Sequence, residues 1–151
     1  MILCGEDVVN YVNKHENLNK SILGLIVNPN LSKKVKIEVS ALCYNYLDNI
    51  NKENYLKLLR QELPVVILNA ISNNLTNNNI LLIYMKCLVK ILELGEIVKN
   101  EDYGVNPVVN EINSAFDFEN LAENLKLKPD IIKERLYDIY DILDMNKSDD
   151  F

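Results

Sequence analysis

Glu38, Ala41 and Asn45 carry the first candidate chemistry in the sequence. Spacings of three and four put them on one face of a helix, where all three side chains can meet one partner. A carboxylate and a carboxamide are groups that hold a ligand by charge and hydrogen bonding. The plain alternative is a solvated acid at Glu38 and a satisfied inter-helix amide at Asn45.

Other reactive side chains form no recognisable set. His15 is the only histidine and has Glu16 beside it, with no second ligand at metal spacing, so it reads as a surface residue at a helix end. Cys4, Cys43 and Cys87 are odd in number, lack ligand spacing and sit in apolar helical patterns. They read as core thiols in a reducing, intracellular compartment, not as nucleophiles. Tyr44, Tyr46, Tyr137 and Tyr140 read as core-edge aromatics. Asp138, Asp141 and Asp144 recur every third residue and read as a solvated helix face, with a basic partner as the functional alternative. There is no Gly-rich phosphate loop, Ser-His-Asp set or metal motif. The expectation is a non-enzymatic chain without metal or cofactor.

Bulk properties agree. Apolar residues make up 48% of 151, enough for a continuous core, and only four Gly and four Pro interrupt the chain. A net charge of −6 argues against a nucleic-acid or membrane-surface binder and is compatible with a basic partner. Apolar runs such as residues 80–85 are too short to span a membrane. The opening Met1-Ile2-Leu3-Cys4-Gly5 lacks the basic start of a signal peptide. The sequons at Asn19, Asn30, Asn74 and Asn146 are read as chance in an Asn-rich chain.

Helical periodicity positions these residues. The long pattern after Ser32, a plausible N-cap, has Val35, Val39, Leu42 and Tyr46 as its apolar stripe and ends near Asn49. Short patterns over 6–15 (Val8, Val9, Val12) and 18–28 (Leu18, Ile22, Leu25, Ile26) precede it, and Asn28-Pro29-Asn30 breaks the second. The cycle returns as 53–62, then 64–72 opened by Pro64, a loop over 73–79, and a long helix over 80–99, offset by roughly 45 residues. A looser connection over 100–105 follows. Asn106-Pro107 then reads as N-cap and first-turn proline for 108–115, followed by 118–127 and, after Pro129, by 130–144. The polar tail is 145–151. The prediction is an all-α chain forming one domain, a right-handed α-solenoid of about three armadillo-like three-helix repeats at 6–50, 51–100 and 106–144.

The order Leu92-Glu93-Leu94-Gly95-Glu96, Asn106-Pro107, Glu111-Ile112-Asn113-Ser114-Ala115, then Phe118, Glu119 and Leu121, resembles the end of the importin-α (karyopherin-α) armadillo domain. That family has Ile-Leu-x-Leu-Gly-Glu, Asn-Pro-Tyr and Ile-Glu-Glu-Ala stretches, and a final helix close to Phe-Asp-Ile-Ile-Glu, here Tyr137-Asp138-Ile139-Tyr140-Asp141. Residues 36–45 resemble its Lys-Glu-Ala-Ala-Trp-x-x-x-Asn helix, with Glu38 and Asn45 in phase. The likeness spans nearly the whole chain and corresponds to the last three repeats. It implies an adaptor in nuclear protein import that shuttles between cytoplasm and nucleus. It implies a minor cargo site for basic nuclear-localisation-signal peptides, with Asn45 clamping the peptide backbone, Glu38 pairing with a Lys or Arg, and Ala41 where the family has the Trp that flanks lysine stems. It also implies contacts with importin-β-type transport factors, an export factor or a nucleoporin through the last repeats.

The sequence departs from the family at Ala41, and at Lys86 and Lys90 in the next repeat. The family's basic N-terminal segment and earlier repeats have no counterpart, and its acidic tail is reduced to Ser148-Asp149-Asp150-Phe151. Two other readings stand beside this one. One is a divergent armadillo/HEAT scaffold with an unrelated partner; the other is a small helical enzyme, which would need a polar pocket with a perturbed titratable group. Solenoid ends normally carry polar caps, so an exposed apolar patch of Ile2, Val8 and Ile22 is expected at the N-terminal end, open to end-to-end association.

Overall fold

The protein is described by a computed structural model covering residues 17–115 and 117–147. The helical pattern expected over 6–15, together with Ile2, Cys4, Val8, His15 and the end of the tail, lies outside the described residues. Those described form eight α-helices and no strand: α1 (Asn17–Val27), α2 (Lys33–Asp48), α3 (Lys52–Arg60), α4 (Leu63–Asn73), α5 (Asn78–Val98), α6 (Pro107–Ala115), α7 (Phe118–Leu125) and α8 (Asp130–Lys147).

Side-chain caps start most of them. Ser32 Oγ accepts from the Val35 N–H at 3.3 Å, Asn51 Oδ1 from Asn54 at 2.8 Å, Asn77 Oδ1 from Ile80 at 3.3 Å and Asp117 from Asn120 at 3.2 Å. Each satisfies an amide that has no intrahelical partner. α4 begins without such a cap. Glu62 before it lies in the left-handed region (φ 63°), and Pro64 brings no N–H to satisfy.

The connection expected over 100–105 is more regular than the sequence suggests. α5 runs on into a π-helical turn, Lys99–Tyr103, closed by the Gly104 N–H donating to the Lys99 carbonyl at 3.0 Å. Gly104 adopts φ +68°, a conformation that favours glycine. Lys52 on α3 pairs with Glu101 at 2.9 Å and with Asp102, fixing a segment that has little apolar surface of its own.

α5 is the centre of the packing. It lies against α2, α4, α6 and α8, while α1 packs on α2 and α4, α3 on α4, α4 on α6, and α7 on α8. Eleven of its 21 residues are buried, against five of 16 in α2, which fits a helix covered on several sides. The buried apolar residues form one continuous cluster from Ile22 to Leu143. The three longest helices, α2, α5 and α8, lie in that order, α2 on α5 and α5 on α8.

Several expectations about the core need correction. The buried stripe of α2 is Val39, Ser40, Cys43, Tyr46 and Leu47; Val35 is exposed and Leu42 only half-buried. The helix is rotated so that its small residues turn inward, and the Ser40 hydroxyl donates to the Ile37 carbonyl at 2.7 Å. Ile22, expected in an exposed patch, is 6% exposed, because α1 packs on α2 and α4. Tyr46 is not at the core edge. It is fully buried and donates to Asn19 Oδ1, and Asn19 in turn donates to Asn54 Oδ1 at 3.4 Å. Burial pushes the Tyr46 phenol up to about 12, while the bond to Asn19 acts in the opposite direction. Tyr137, at 57% exposure, lies outside the core, while Tyr44 and Tyr140 are half-buried at its edge.

The motif Leu-Gly-Glu followed by Asn-Pro is a structural clasp. Asn106 is 1% exposed. Its Oδ1 accepts from Val108 and Val109 at 3.0 and 3.3 Å, capping α6. Its Nδ2 donates to the Leu92 carbonyl at 3.0 Å and to Glu96 at 3.1 Å on α5. Gly95 leaves the room, since a Cβ there would stand 2.2 Å from Asn106 Oδ1. Gly95→Ala is expected to destabilise the fold by about 1–3 kcal/mol through overpacking, and Asn106→Ala by a similar ~1–3 kcal/mol through orphaned polar groups. In the Asn106→Ala background the Gly95→Ala cost should fall below ~1 kcal/mol, since the two effects share one contact. Urea unfolding of the four proteins measures this, and additive costs would refute the clasp.

Candidate peptide-binding face

α2 presents Glu38 and Asn45 to solvent, with Ala41 half-buried between them. The two polar residues are two turns apart, roughly 10 Å along the axis at 1.5 Å per residue. The Asn45 carboxamide has no hydrogen-bond partner among the described residues; only its backbone carbonyl is used, accepting from Asn49 at 3.1 Å. It is therefore not an inter-helix amide, and both its donor and acceptor are available. Glu38 makes no ion pair among the described residues.

The neighbouring long helix has different chemistry. Lys90 of α5 reaches across to Asp48 of α2 at 3.1 Å, and that contact raises its pKa. Lys86 is half-buried one turn earlier. α2 thus exposes a carboxylate and a carboxamide, whereas α5 carries two ammonium groups, one of them paired with Asp48. On α8, Asp138 pairs with Arg135 at 3.2 Å and Asp144 with Lys147 at 3.5 Å, while Asp141 is exposed. These are solvated pairs one turn apart, which contribute little to stability.

The two described cysteines are buried between α2 and α5. Burial pushes the Cys87 thiol well above its ordinary value, and the adjacent Cys43 adds to this. A neutral, occluded thiol is neither a nucleophile nor a metal ligand. Among the described residues no group of three or more His, Cys, Asp or Glu could hold a metal ion. No described helix is long and apolar enough to cross a membrane. In a Cys4→Ser variant, Cys43 and Cys87 should resist a water-soluble thiol reagent at pH 8 for hours and react at once in denaturant; fast native labelling would contradict the burial.

A separate groove of about 350 Å³ lies between α3 and α6, walled by Leu56, Leu59, Val105 and Pro107, with Arg60 and Glu111 at its polar edge. Loss of hydration, then the charge of Glu62, raises the Glu111 carboxyl above its usual range. This is the kind of perturbed group an enzyme would need, yet the groove walls bring no histidine, thiol or second carboxyl to act with it. Nothing in the sequence pattern marks Glu111, because α3 and α6 are separated in the chain by α4 and α5.

Comparison of this chain with family models, with curated proteins and with solved structures found no match.

The Glu111 environment has a pH signature. Its folded pKa is raised, so ionisation is penalised in the fold. The penalty is absent below the ordinary carboxyl pKa of about 4.3 and complete above the raised one. Glu111→Gln should therefore raise Tm at pH 7, by the equivalent of under ~1 kcal/mol given its solvent access, and the gain should vanish near pH 4. Thermal melts at both pH values decide this; an equal gain at pH 4 would remove charge as the cause.

Proposed function

We propose that this chain is a non-enzymatic protein-binding module of three armadillo-like repeats in a right-handed α-solenoid, acting as an importin-α-like adaptor in nuclear protein import. The observation that carries the reading is the outward pair on α2: an Asn45 carboxamide and a Glu38 carboxylate without partners among the described residues, two turns apart, on the first of three long helices packed in sequence. An extended basic peptide would find a backbone clamp in Asn45 and a charge partner in Glu38. Helices α6 to α8 would supply the contact for a transport factor, an export factor or a nucleoporin. Such an adaptor would work in both cytoplasm and nucleus.

The motif resemblance and the order of the long helices support the armadillo reading. One observation favours a second reading, a scaffold of the same architecture with an unrelated partner. Lys86 and Lys90 place two ammonium groups on α5, where a lysine-rich peptide leaving α2 would be repelled.

Fluorescence anisotropy of a labelled bipartite lysine-rich peptide separates the two. On the adaptor reading, Asn45→Ala and Glu38→Ala each weaken binding. Ala41→Trp, which restores the aromatic wall of the resembled family, strengthens it about 2- to 30-fold, the equivalent of a cation–π contact worth ~0.5–2 kcal/mol. Salt-sensitive binding indifferent to all three substitutions would mean only that an acidic protein attracts a basic peptide, and would leave the scaffold reading.

A further inference from the structure

The N-terminal turn of α2 carries an unusual charge arrangement. Lys33, Lys34 and Lys36 all fall at the start of a 16-residue helix whose first turn has no acidic residue. The positive end of the helix dipole disfavours cations there. None of the three has an ion-pair partner among the described residues. Elsewhere Lys52, Lys57, Lys90, Lys126, Lys133 and Lys147 are each paired with a carboxylate. The full chain has 22 acidic residues against 16 basic ones, so an unneutralised cationic cluster stands out.

Two adjoining cavities open beside this turn and share Lys36, Asn73 and Asn74 in their walls. The first, about 230 Å³, is walled by apolar side chains of α1 and α2, among them Leu25, Ile26 and Val39, with Tyr84 of α5. The second, about 280 Å³, adds Lys33 and Asn77. Neither cavity has a carboxylate in its walls. Asn77 uses its carbonyl to cap α5, which leaves its amide hydrogens available.

Tyr84 is an independent pointer to a ligand. Its side chain is 3% exposed, lines the first cavity and has no hydrogen-bond partner among the described residues. Its ring forms part of the cavity wall, and its hydroxyl has the Cys43 and Cys87 thiols as electrostatic neighbours. A buried phenol without a partner is uncommon, because the desolvated hydroxyl normally finds one.

We propose that this cleft is a docking site for an acidic linear segment of a partner protein, with an apolar side chain of that segment seated in the first cavity beside Tyr84 and its carboxylates held by Lys33 and Lys36. The apolar walls select a peptide over a small inorganic anion, and the lysines with the start of α2 select acidic over basic sequence. This surface is distinct from the Glu38–Asn45 face and opposite to it in charge preference, so it stands whether or not the basic-peptide reading holds.

The test is fluorescence anisotropy at low salt with a labelled peptide of Asp and Glu flanking a central Phe. Expected is saturable binding that Lys36→Glu weakens about 10-fold or more, Lys33→Glu several-fold and Tyr84→Phe about 3- to 10-fold, as for loss of a buried hydrogen bond. Lys126→Glu makes the same charge change at the C-terminal end of α7 and should leave binding as it was. A peptide with Ser for Phe should bind more weakly, and a lysine-rich one should not compete at this site. Circular dichroism melts confirm that each variant is folded, and Lys33→Glu keeps the test open if Tyr84→Phe does not fold. Equal weakening by Lys36→Glu and Lys126→Glu, indifference to Tyr84→Phe, equal binding of the Ser peptide, or displacement by inorganic phosphate at constant ionic strength would each overturn the proposal.

Discussion

The contact of Asn106 with Gly95 sets how the chain leaves its central helix. α5 is covered by four other helices, so any element joining it must approach closely or not at all. Gly95 removes the side chain that would forbid the approach, and Asn106 fills the space with a group that satisfies polar atoms on both sides. One carboxamide thereby caps α6, ties it to the Leu92 carbonyl and orients Glu96. Glu96 also accepts from Asn146 at 3.4 Å, which carries the connection to the end of α8. On the other flank, the Tyr55 hydroxyl donates to the Ile91 carbonyl at 2.7 Å, so consecutive carbonyls of α5 hold α3 and α6. Buried polar contacts of this kind fix which helices meet, whereas apolar burial alone is non-directional.

α2 uses that framework to expose two kinds of chemistry. Its inward face is made of small and aromatic residues, Ser40, Cys43 and Tyr46, and this sets its rotation. Once the rotation is fixed, Glu38 and Asn45 must face outward. Its first turn carries lysines that neither the helix dipole nor a neighbouring carboxylate favours. Tolerating three lysines there differs from Lys52, Lys57, Lys90, Lys126, Lys133 and Lys147, each paired with a carboxylate, and departures from local consistency are where function is sought. The outward face and the first turn differ in chemistry because they lie at different places on one helix, Glu38 and Asn45 along its side and Lys33, Lys34 and Lys36 at its start.

The reactive side chains follow the same logic. Cys43 and Cys87 fill the α2–α5 interface as small hydrophobes, and burial pushes the Cys87 thiol well above its ordinary value. Glu111 gains a raised pKa from lost hydration and from the charge of Glu62, while the described residues that wall its groove include no histidine, thiol or further carboxyl. A perturbed titration alone is thus a consequence of packing here.

The sequence by itself determined the all-α class and the helix starts at Ser32 and Asn106, because caps, prolines and helical periodicity are local signals read within a few residues; it left the exposure of Asn45 open against an inter-helix amide, and the rotation of α2 decided it. It misjudged the stripe of α2, where Ser40 and Cys43 replace Val35 and Leu42 inside, since a helix with apolar residues on several sides has no unique rotation until a neighbour is present. It misjudged Ile22, buried because α1 packs on both α2 and α4. The connection expected over 100–105 begins with a π turn, Lys99–Tyr103, whose acidic residues pair with Lys52, far away in the chain. Tertiary structure alone decided the meaning of Gly95 and Asn106, which are eleven residues apart and look like unrelated punctuation until α6 folds back on α5. It also decided that Tyr84 would have no hydrogen-bond partner among the described residues and would line a cavity beside lysines from another helix, a juxtaposition set by inter-helix packing that no sequence period encodes.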